Sequence, residues 1–586
     1  MKKILSGDEA IARGAWEAGC TVAAAYPGTP STEILENIAM YDEIYAQWSP
    51  NEKVAVEVAC GASIGGARSI TAMKHVGLNV AADPLFTIAY EGVNGGLIIV
   101  TADDPGMHSS QNEQDNRYYA KAAKVAMIEP SDSQEAKDFI KIAYDISEKF
   151  DTVVLYRITT RIAHSKSLVE LGERNEVGVK PYVKDIKKYI MTPANSRVKH
   201  LEVEERLVKL QAYSNESPLN RIEWGLKTMG IITSGVSYQY AKEVFGENAS
   251  YLKIGMSFPI PDKMIRKFAK TVDKLYIIEE NEPFLETEIK AMGIECIGKE
   301  FIPICGELNP DIIRKALLPV KEKKAYSVDV KVPSRPPVLC SGCPHRGIFY
   351  AVSKYKDIIA TGDIGCYTLG MVPPLGVTDV IICMGASITA GIGIQKASMM
   401  AGRDAKVFGF IGDSTFFHSG ITGLIDAFYN NSPIVTCILD NSITAMTGHQ
   451  ENPGTGRNAK GEIAAVVDIE TLVRAIGFKN IRVVDPYDLS ATEAVVKEAH
   501  DTSEPFVIIT KQPCALIKDV QRRRANMYCS VLDDKCKKCK ACLRTGCPSL
   551  SFKNDKVNID KSTCNGCGLC KQVCKFSAIE KVGEQI

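Results

Sequence analysis

Residues 412–441 read GDSTFFHSGITGLIDAFYNNSPIVTCILDN. The apolar run VFGFI (407–411) enters this stretch, and a second run, IVTCIL (434–439), closes it. Both are short, apolar and bounded by turn residues, the pattern of strands buried on both faces. The segment between them reads as a helix. Two strands joined by a helix form a parallel crossover unit. Asp413 and Asn441 then stand at the carboxyl ends of neighbouring strands, where open α/β sheets bind ligands.

The same alternation recurs along the chain. SITAMKHV (69–76), GGLIIVTADD (95–104), KVAMIEP (124–130) and TVVLYRI (152–158) read as buried strands. Ser31 or Thr32 is placed to cap a helix after TVAAAYPGTP (21–30), and Ser131 with Gln134 has capping-box spacing. The expected order is an α/β domain over 1–165, a charged connecting segment over 166–228 with a helix near 201–213, and a second α/β domain over 229–320. A linker over 321–337, a third α/β domain over 338–520 and a cysteine-rich module over 527–586 follow. The fold class is α/β, with three doubly wound parallel-sheet domains and a small C-terminal module.

With 586 residues the chain is too long for one core. Its 70 basic and 70 acidic residues balance, which argues against bulk attraction to nucleic acid or membrane. The opening stretch, interrupted by Asp8 and Glu9, has no continuous apolar run, and no run of about 18 uncharged apolar residues occurs. The expectation is a cytoplasmic protein. Of 19 cysteines, eight lie between Cys536 and Cys574 at C-x-x-C spacings, which favours metal ligation over disulfides.

Cys536, Cys539, Cys542 and Cys547 form one run, and Cys564, Cys567, Cys570 and Cys574 a second. The pair resembles bacterial two-cluster ferredoxins, in which each run lends its fourth thiolate to the other cluster. The resemblance implies one 4Fe-4S cluster on Cys536, Cys539, Cys542 and Cys574, and another on Cys564, Cys567, Cys570 and Cys547. A pair of zinc sites is the competing reading.

The opening stretch resembles the thiamin diphosphate motif, a Gly-Asp-Gly followed some 25 residues later by Asn-Asn. Ser414 and Asp440 depart from it. The resemblance implies Mg2+ ligation by Asp413, Asn441 and the carbonyl of Ile443, with Gly412 and Ser414 against the cofactor. NEKVAVEVACGAS (51–63) resembles the helix whose acid, here Glu52, contacts the aminopyrimidine. YPGTPSTEI (26–34) resembles a segment of 2-oxoacid:ferredoxin oxidoreductases, with Thr29 at the substrate-carboxylate position. Together with CSGCPHRG (340–347), GDIGCYTLG (362–370) and DNSITAMTGHQ (440–450), the chain resembles the large subunits of the indolepyruvate type over nearly its full length.

That resemblance implies oxidative decarboxylation of an arylpyruvate with coenzyme A, electrons passing through the clusters to ferredoxin. It also implies a small beta subunit as partner, in a heterodimer or a dimer of heterodimers. The same chemistry on another 2-oxoacid, a non-oxidative thiamin decarboxylase or carboligase, and a ferredoxin fused to a degenerate scaffold are the alternatives. Cys340, Cys343, Cys366 and Cys514 are candidate ligands of a third cluster, or else buried thiols. In PGMHSSQNEQDNR (105–117), His108, Ser109 and Arg117 are candidates to face substrate. His345 and His449 are candidate proton relays, and the amides opening GASITAGIGIQKAS (385–398) are candidates for the diphosphate.

Overall fold

The computed structural model describes residues 1–319, 328–403 and 405–584. The chain divides into two compact units, Met1–Ser327 and Val328–Ile586. The expected linker begins in residues that lie outside the described ones.

The first unit is built on a seven-stranded sheet. Its spatial order is Met256–Phe258, Ala126–Ile128, Val154–Thr159, Leu97–Asp103, Ser69–Lys74, Val22–Ala25, Tyr45–Trp48. All neighbours run parallel except the first, which joins antiparallel to Ala126–Ile128. Every residue of the strands Ser69–Lys74, Leu97–Asp103 and Val154–Thr159 is buried. Near-continuous apolar runs suit this placement, because helices cover both faces of a parallel sheet. A four-stranded sheet in the order Leu275–Ile278, Gly230–Ser234, Ser250–Ile254, Arg221–Glu223 completes the unit, its last strand antiparallel. The two sheets are stitched together. Strand Met256–Phe258 lies in sequence between two strands of the second sheet, Ser250–Ile254 and Leu275–Ile278, yet closes the first, while Lys166–Glu170 returns to pair with Lys2–Ser6. Helix Pro193–Ser214 runs through the segment expected to connect them.

Two capping expectations change. Helix Ser133–Phe150 is capped by Asp132, which accepts from the Glu135 amide at 2.9 Å. Ser131 instead donates its hydroxyl and amide to Glu135, which Lys253 and Arg221 also engage. An ionised carboxylate is the stronger acceptor, so the cap falls one residue later than the Ser131–Gln134 spacing suggests. Before helix Thr32–Ile38, the Ser31 hydroxyl donates to the Gly28 carbonyl at 2.8 Å and makes no cap bond.

The second unit holds a six-stranded, wholly parallel sheet. Its order is Val380–Ile381, Ile358–Gly362, Lys406–Gly412, Val435–Asp440, Phe506–Lys511, Ile481–Val484. The tail adds two antiparallel pairs, Tyr528–Val531 with Ile579–Val582 and Leu550–Lys553 with Lys556–Ile559. Asn554 and Asp555 turn the latter hairpin with φ of 51° and 57°, as a two-residue turn matched to strand twist requires. The tail is fastened to its unit by Leu569, buried in the same core as Phe349 and Phe410, and by Arg346, which donates to the Thr545 carbonyl at 2.7 Å. No helix of the described residues is long and apolar enough to cross a membrane.

Candidate cofactor sites

Strands Lys406–Gly412 and Val435–Asp440 pair with Gly412 opposite Leu439, so their carboxyl ends open side by side. Asp413 follows the first and is 4% exposed; Asn441 follows the second and is 6% exposed. One amide atom of Asn441 lies 3.2 Å from Asp413 Oδ1 and 2.8 Å from the Ile443 carbonyl oxygen, while the other lies 3.3 Å from His345 Nε2. With nitrogen inward, the amide donates to both oxygens. With oxygen inward, the Asn441 oxygen stands 3.2 Å from Asp413 Oδ1 and 2.8 Å from the Ile443 oxygen, close to the edge length of about 3.0 Å for an octahedral Mg2+ with Mg–O of about 2.1 Å. The donors are hard, and their spacing fits a cation.

The departures from the motif have structural roles. Asp440 Oδ1 accepts from the Ser442 amide at 3.0 Å and holds Ser442 in the left-handed region, φ 59°. Ser414 accepts from the Thr444 hydroxyl at 2.9 Å, joining the two strand ends. Burial, and then the charge of Asp440, raise the Asp413 carboxyl to about 7, against a hydrogen bond from Asn452 at 3.1 Å. At Gly412 an added Cβ would lie 2.6 Å from the Tyr367 ring, so no larger residue fits. Burial lowers His345 to about 4, which keeps it neutral at the site.

Asp363, in the GDIG turn, is a residue that motif reading passed over. It is fully buried, and it accepts from the amides of Ile364 and Gly385 at 2.8 Å and of Ser387 at 3.2 Å. The amides of Gly385 and Ser387, expected to be candidates for a diphosphate at the start of helix Ala386–Met400, are therefore engaged by Asp363. A buried acid beside a helix start was the available signal, since anions are favoured there.

The second cysteine set gathers at the same sheet end. Burial raises the Cys366 thiol to about 11, with the charges of Cys514 and Cys340 next in effect and Asp413 within reach. Burial likewise pushes up Cys343, which feels Cys366 and Cys340, and Cys514, which feels Cys340 and Asp413. The Cys514 amide donates to the Asn441 carbonyl at 2.9 Å, so thiol and strand end share a backbone contact. Exposed His449 lies 3.9 Å from Cys514 Sγ.

The tail cysteines line two cavities. Cys536, Cys539, Cys542 and Cys574 line one. Cys547, Cys564, Cys567 and Cys570 line the other. The fourth cysteine of each run thus lines the cavity of the other run. A single zinc ion would draw its thiolates to about 3.8 Å of one another, given Zn–S of about 2.3 Å. Among the described residues, the one group of three or more potential ligands within a 4.8 Å span contains no cysteine. The tail sulfurs are therefore not drawn together as they would be around single zinc ions. Cys529, absent from the motif, also lines the Cys547–Cys570 cavity, and its amide donates to Cys564 Sγ at 3.3 Å.

In the first unit, adjacent parallel strands end at Ala25, Trp48 and Lys74. Glu52 opens helix Glu52–Ile64, capped by the Asn51 side chain, which accepts from the Val54 amide at 2.9 Å. Its carboxylate is 4% exposed and packs on Gly77, where a Cβ would lie 2.6 Å from Glu52 Cγ. Thr29 is half-buried, and its carbonyl accepts from the Ser109 hydroxyl at 3.5 Å. Lys74 Nζ donates to the Ser109 carbonyl at 2.6 Å, and burial lowers its ammonium to about 8. This places a buried cation behind the Thr29 loop. It was legible only as an uncommon charge inside an apolar strand.

One substrate-facing expectation is corrected. Arg117 is 1% exposed and paired with Asp115 and with Glu279 at 2.6 Å, so it is a structural cation. His108 Nε2 lies 3.2 Å from Glu307 Oε2.

Comparison with known proteins accords with this layout. Residues 13–215 match the family described as pyruvate flavodoxin/ferredoxin oxidoreductase, thiamine diphosphate-binding. Residues 363–510 match the C-terminal TPP-binding domain of thiamine pyrophosphate enzymes, and residues 557–580 a 4Fe-4S binding domain. The chain is 42% identical to the indolepyruvate oxidoreductase subunit IorA of Archaeoglobus fulgidus, over 99% of this chain and 97% of that one. Identity to the subunit of the same name from Methanothermobacter thermautotrophicus is 39%, over 100% and 98%. A 2-oxoglutarate:ferredoxin oxidoreductase structure from Magnetococcus marinus aligns with a TM-score of 0.46 at 18% identity, over 54% of this chain and 64% of that one.

Proposed function

This chain belongs to the indolepyruvate oxidoreductase IorA family of thiamin diphosphate-dependent 2-oxoacid:ferredoxin oxidoreductases, and from that premise we propose that it oxidatively decarboxylates arylpyruvates such as indolepyruvate. Coenzyme A takes the acyl group, giving an aryl-acetyl-CoA and CO2, and ferredoxin takes the electrons. The small beta subunit of the family is the partner chain. The observation that carries the reading is the convergence of Asp413 and the Ile443 carbonyl on Asn441 at the ends of two adjacent parallel strands.

What the bound groups supply is an electron sink for loss of CO2, from thiamin diphosphate, and a one-electron path, from the clusters. The protein supplies the rest. Asp413, Asn441 and the Ile443 carbonyl would hold Mg2+, while Gly412 and Ser414 shape the turn beneath. Glu52 would hold a proton at its carboxylate. The Thr29 hydroxyl receives the substrate carboxylate, and Lys74 behind its loop favours that negative charge. Cys340, Cys343, Cys366 and Cys514 would hold a third 4Fe-4S cluster, and the tail cysteines the other two.

The test is anaerobic reduction of ferredoxin or a viologen dye by the chain co-expressed with its small subunit. Indolepyruvate, phenylpyruvate and pyruvate are compared, with and without thiamin diphosphate and coenzyme A. Reduction with arylpyruvates that needs both is the expected result. Release of CO2 without dye reduction would identify a non-oxidative decarboxylase and overturn the reading.

A further inference from the structure

Helix Gly7–Glu17 carries Asp8 in its first turn, fully buried, and both of its carboxylate oxygens lack a hydrogen-bond partner. Glu33, on helix Thr32–Ile38, has a buried Oε2 in the same condition. His164 ends the short helix Thr160–His164 and is exposed. One ligand atom from each of the three lies within 4.8 Å of the others. Among the described residues, no other set of three His, Cys, Asp or Glu side chains closes to that span.

The electrostatics are unbalanced. Burial above all, then the charge of Glu33 and, on protonation, a hydrogen bond with it, then Glu36 and Glu9, raise the Asp8 carboxyl well above the usual range, and every charge acting on it is acidic. Neither Asp8 nor Glu33 takes part in an ion pair among the described residues. A buried carboxylate is paired, binds a metal, or takes up a proton. Asp8 and Glu33 are close enough to share a proton, but a shared proton leaves the convergence of His164 without a purpose.

We propose that Asp8, Glu33 and His164 bind one divalent transition-metal cation, which ties three helices of the first unit together. Two carboxylate oxygens with one imidazole nitrogen form a mixed donor set, suited to Mn2+ or Zn2+ rather than to Ca2+, which takes oxygen alone. The site lies in the first unit, whereas Asp413 and Asn441 belong to the second. Its effect is on position: Glu33 lies four residues beyond Thr29, so the cation anchors the helix that follows the Thr29 loop.

Mn2+ is the probe, since thiolates compete poorly for it. The cluster-loaded complex is titrated anaerobically, with bound Mn2+ counted from the loss of the free-ion EPR signal and the thermal midpoint followed in parallel. Asp413→Asn removes the other site at which Mn2+ can replace Mg2+. In that background we expect one Mn2+ per chain and a raised midpoint. His164→Ala and Glu33→Gln, each added to it, should weaken binding at least tenfold and abolish the rise. His164 is exposed, so its replacement leaves the fold intact. An equal Mn2+ count with and without His164, together with a higher midpoint for Asp8→Asn in metal-free buffer, would show a shared proton and overturn the proposal.

Discussion

Glu52 lies so close to Gly77 that any side chain there must displace it: an alanine Cβ would stand 2.6 Å from Glu52 Cγ and 2.7 Å from Oε1. Gly77→Ala should therefore lower thiamin-dependent turnover by about 10²- to 10⁴-fold, the usual contribution of a positioned acid–base group. Secondary structure by circular dichroism should be retained, and Glu52→Gln should lose a similar factor. Unchanged turnover in both variants would remove Glu52 from the reaction. Next in sequence to Lys74, His75 is fully buried with Nε2 3.2 Å from the Asn112 carbonyl oxygen. Burial, then the charge of Lys74, lowers it from 6.5 to about 4. The unfolded chain binds more protons than the fold between these values, so stability rises with pH there. His75 contributes stability that is present above pH 6.5 and lost as pH falls through about 4, at most about 3 kcal/mol. Urea unfolding of the His75→Asn variant should show a shallower loss between pH 7 and pH 4 than the parent chain.

At the scale of elements, strand ends were legible and side-chain destinations were not. The apolar runs around 407–411 and 434–439 announced two parallel strands, and strands Lys406–Gly412 and Val435–Asp440 lie there. Arg117 looked available to substrate because a polar stretch precedes it. Its partners, Asp115 two residues away and Glu279 across the second sheet, are visible only after folding brings residue 279 into place. Removing one member of a buried ion pair strands the others, so Arg117→Ala should cost about 3–5 kcal/mol in unfolding free energy. A loss of substrate affinity with unaltered stability would instead restore it to the site. Asp132 shows the same limit more locally. Ser131–Gln134 and Asp132–Glu135 share one spacing, and only the cations Lys253 and Arg221, distant in sequence, draw Glu135 into its place.

Across the whole molecule, cysteine spacing was the most transparent signal, because ligand order along the chain reflects cluster geometry directly. The tail partition into two cavities follows the exchange that the resemblance to two-cluster ferredoxins implies. Cys529 escaped notice because it lies outside any C-x-x-C run and reaches the cavity through the pairing of Tyr528–Val531 with Ile579–Val582. The set Cys340, Cys343, Cys366 and Cys514 spans most of the second unit in sequence, so sheet topology rather than spacing assembles it. If all three sets carry 4Fe-4S clusters, anaerobically purified chain should contain about 12 iron atoms, and Cys366→Ser about eight. About eight in both would confine the clusters to the tail.

The central claim is that oxidation of a 2-oxoacid sends electrons into this chain's own clusters. It is tested most directly by low-temperature EPR of the complex, frozen after anaerobic mixing with indolepyruvate and coenzyme A in the absence of ferredoxin. Signals of reduced 4Fe-4S clusters that require thiamin diphosphate, and that fail to form in Glu52→Gln, are the predicted result. Consumption of indolepyruvate with the clusters still oxidised would contradict it.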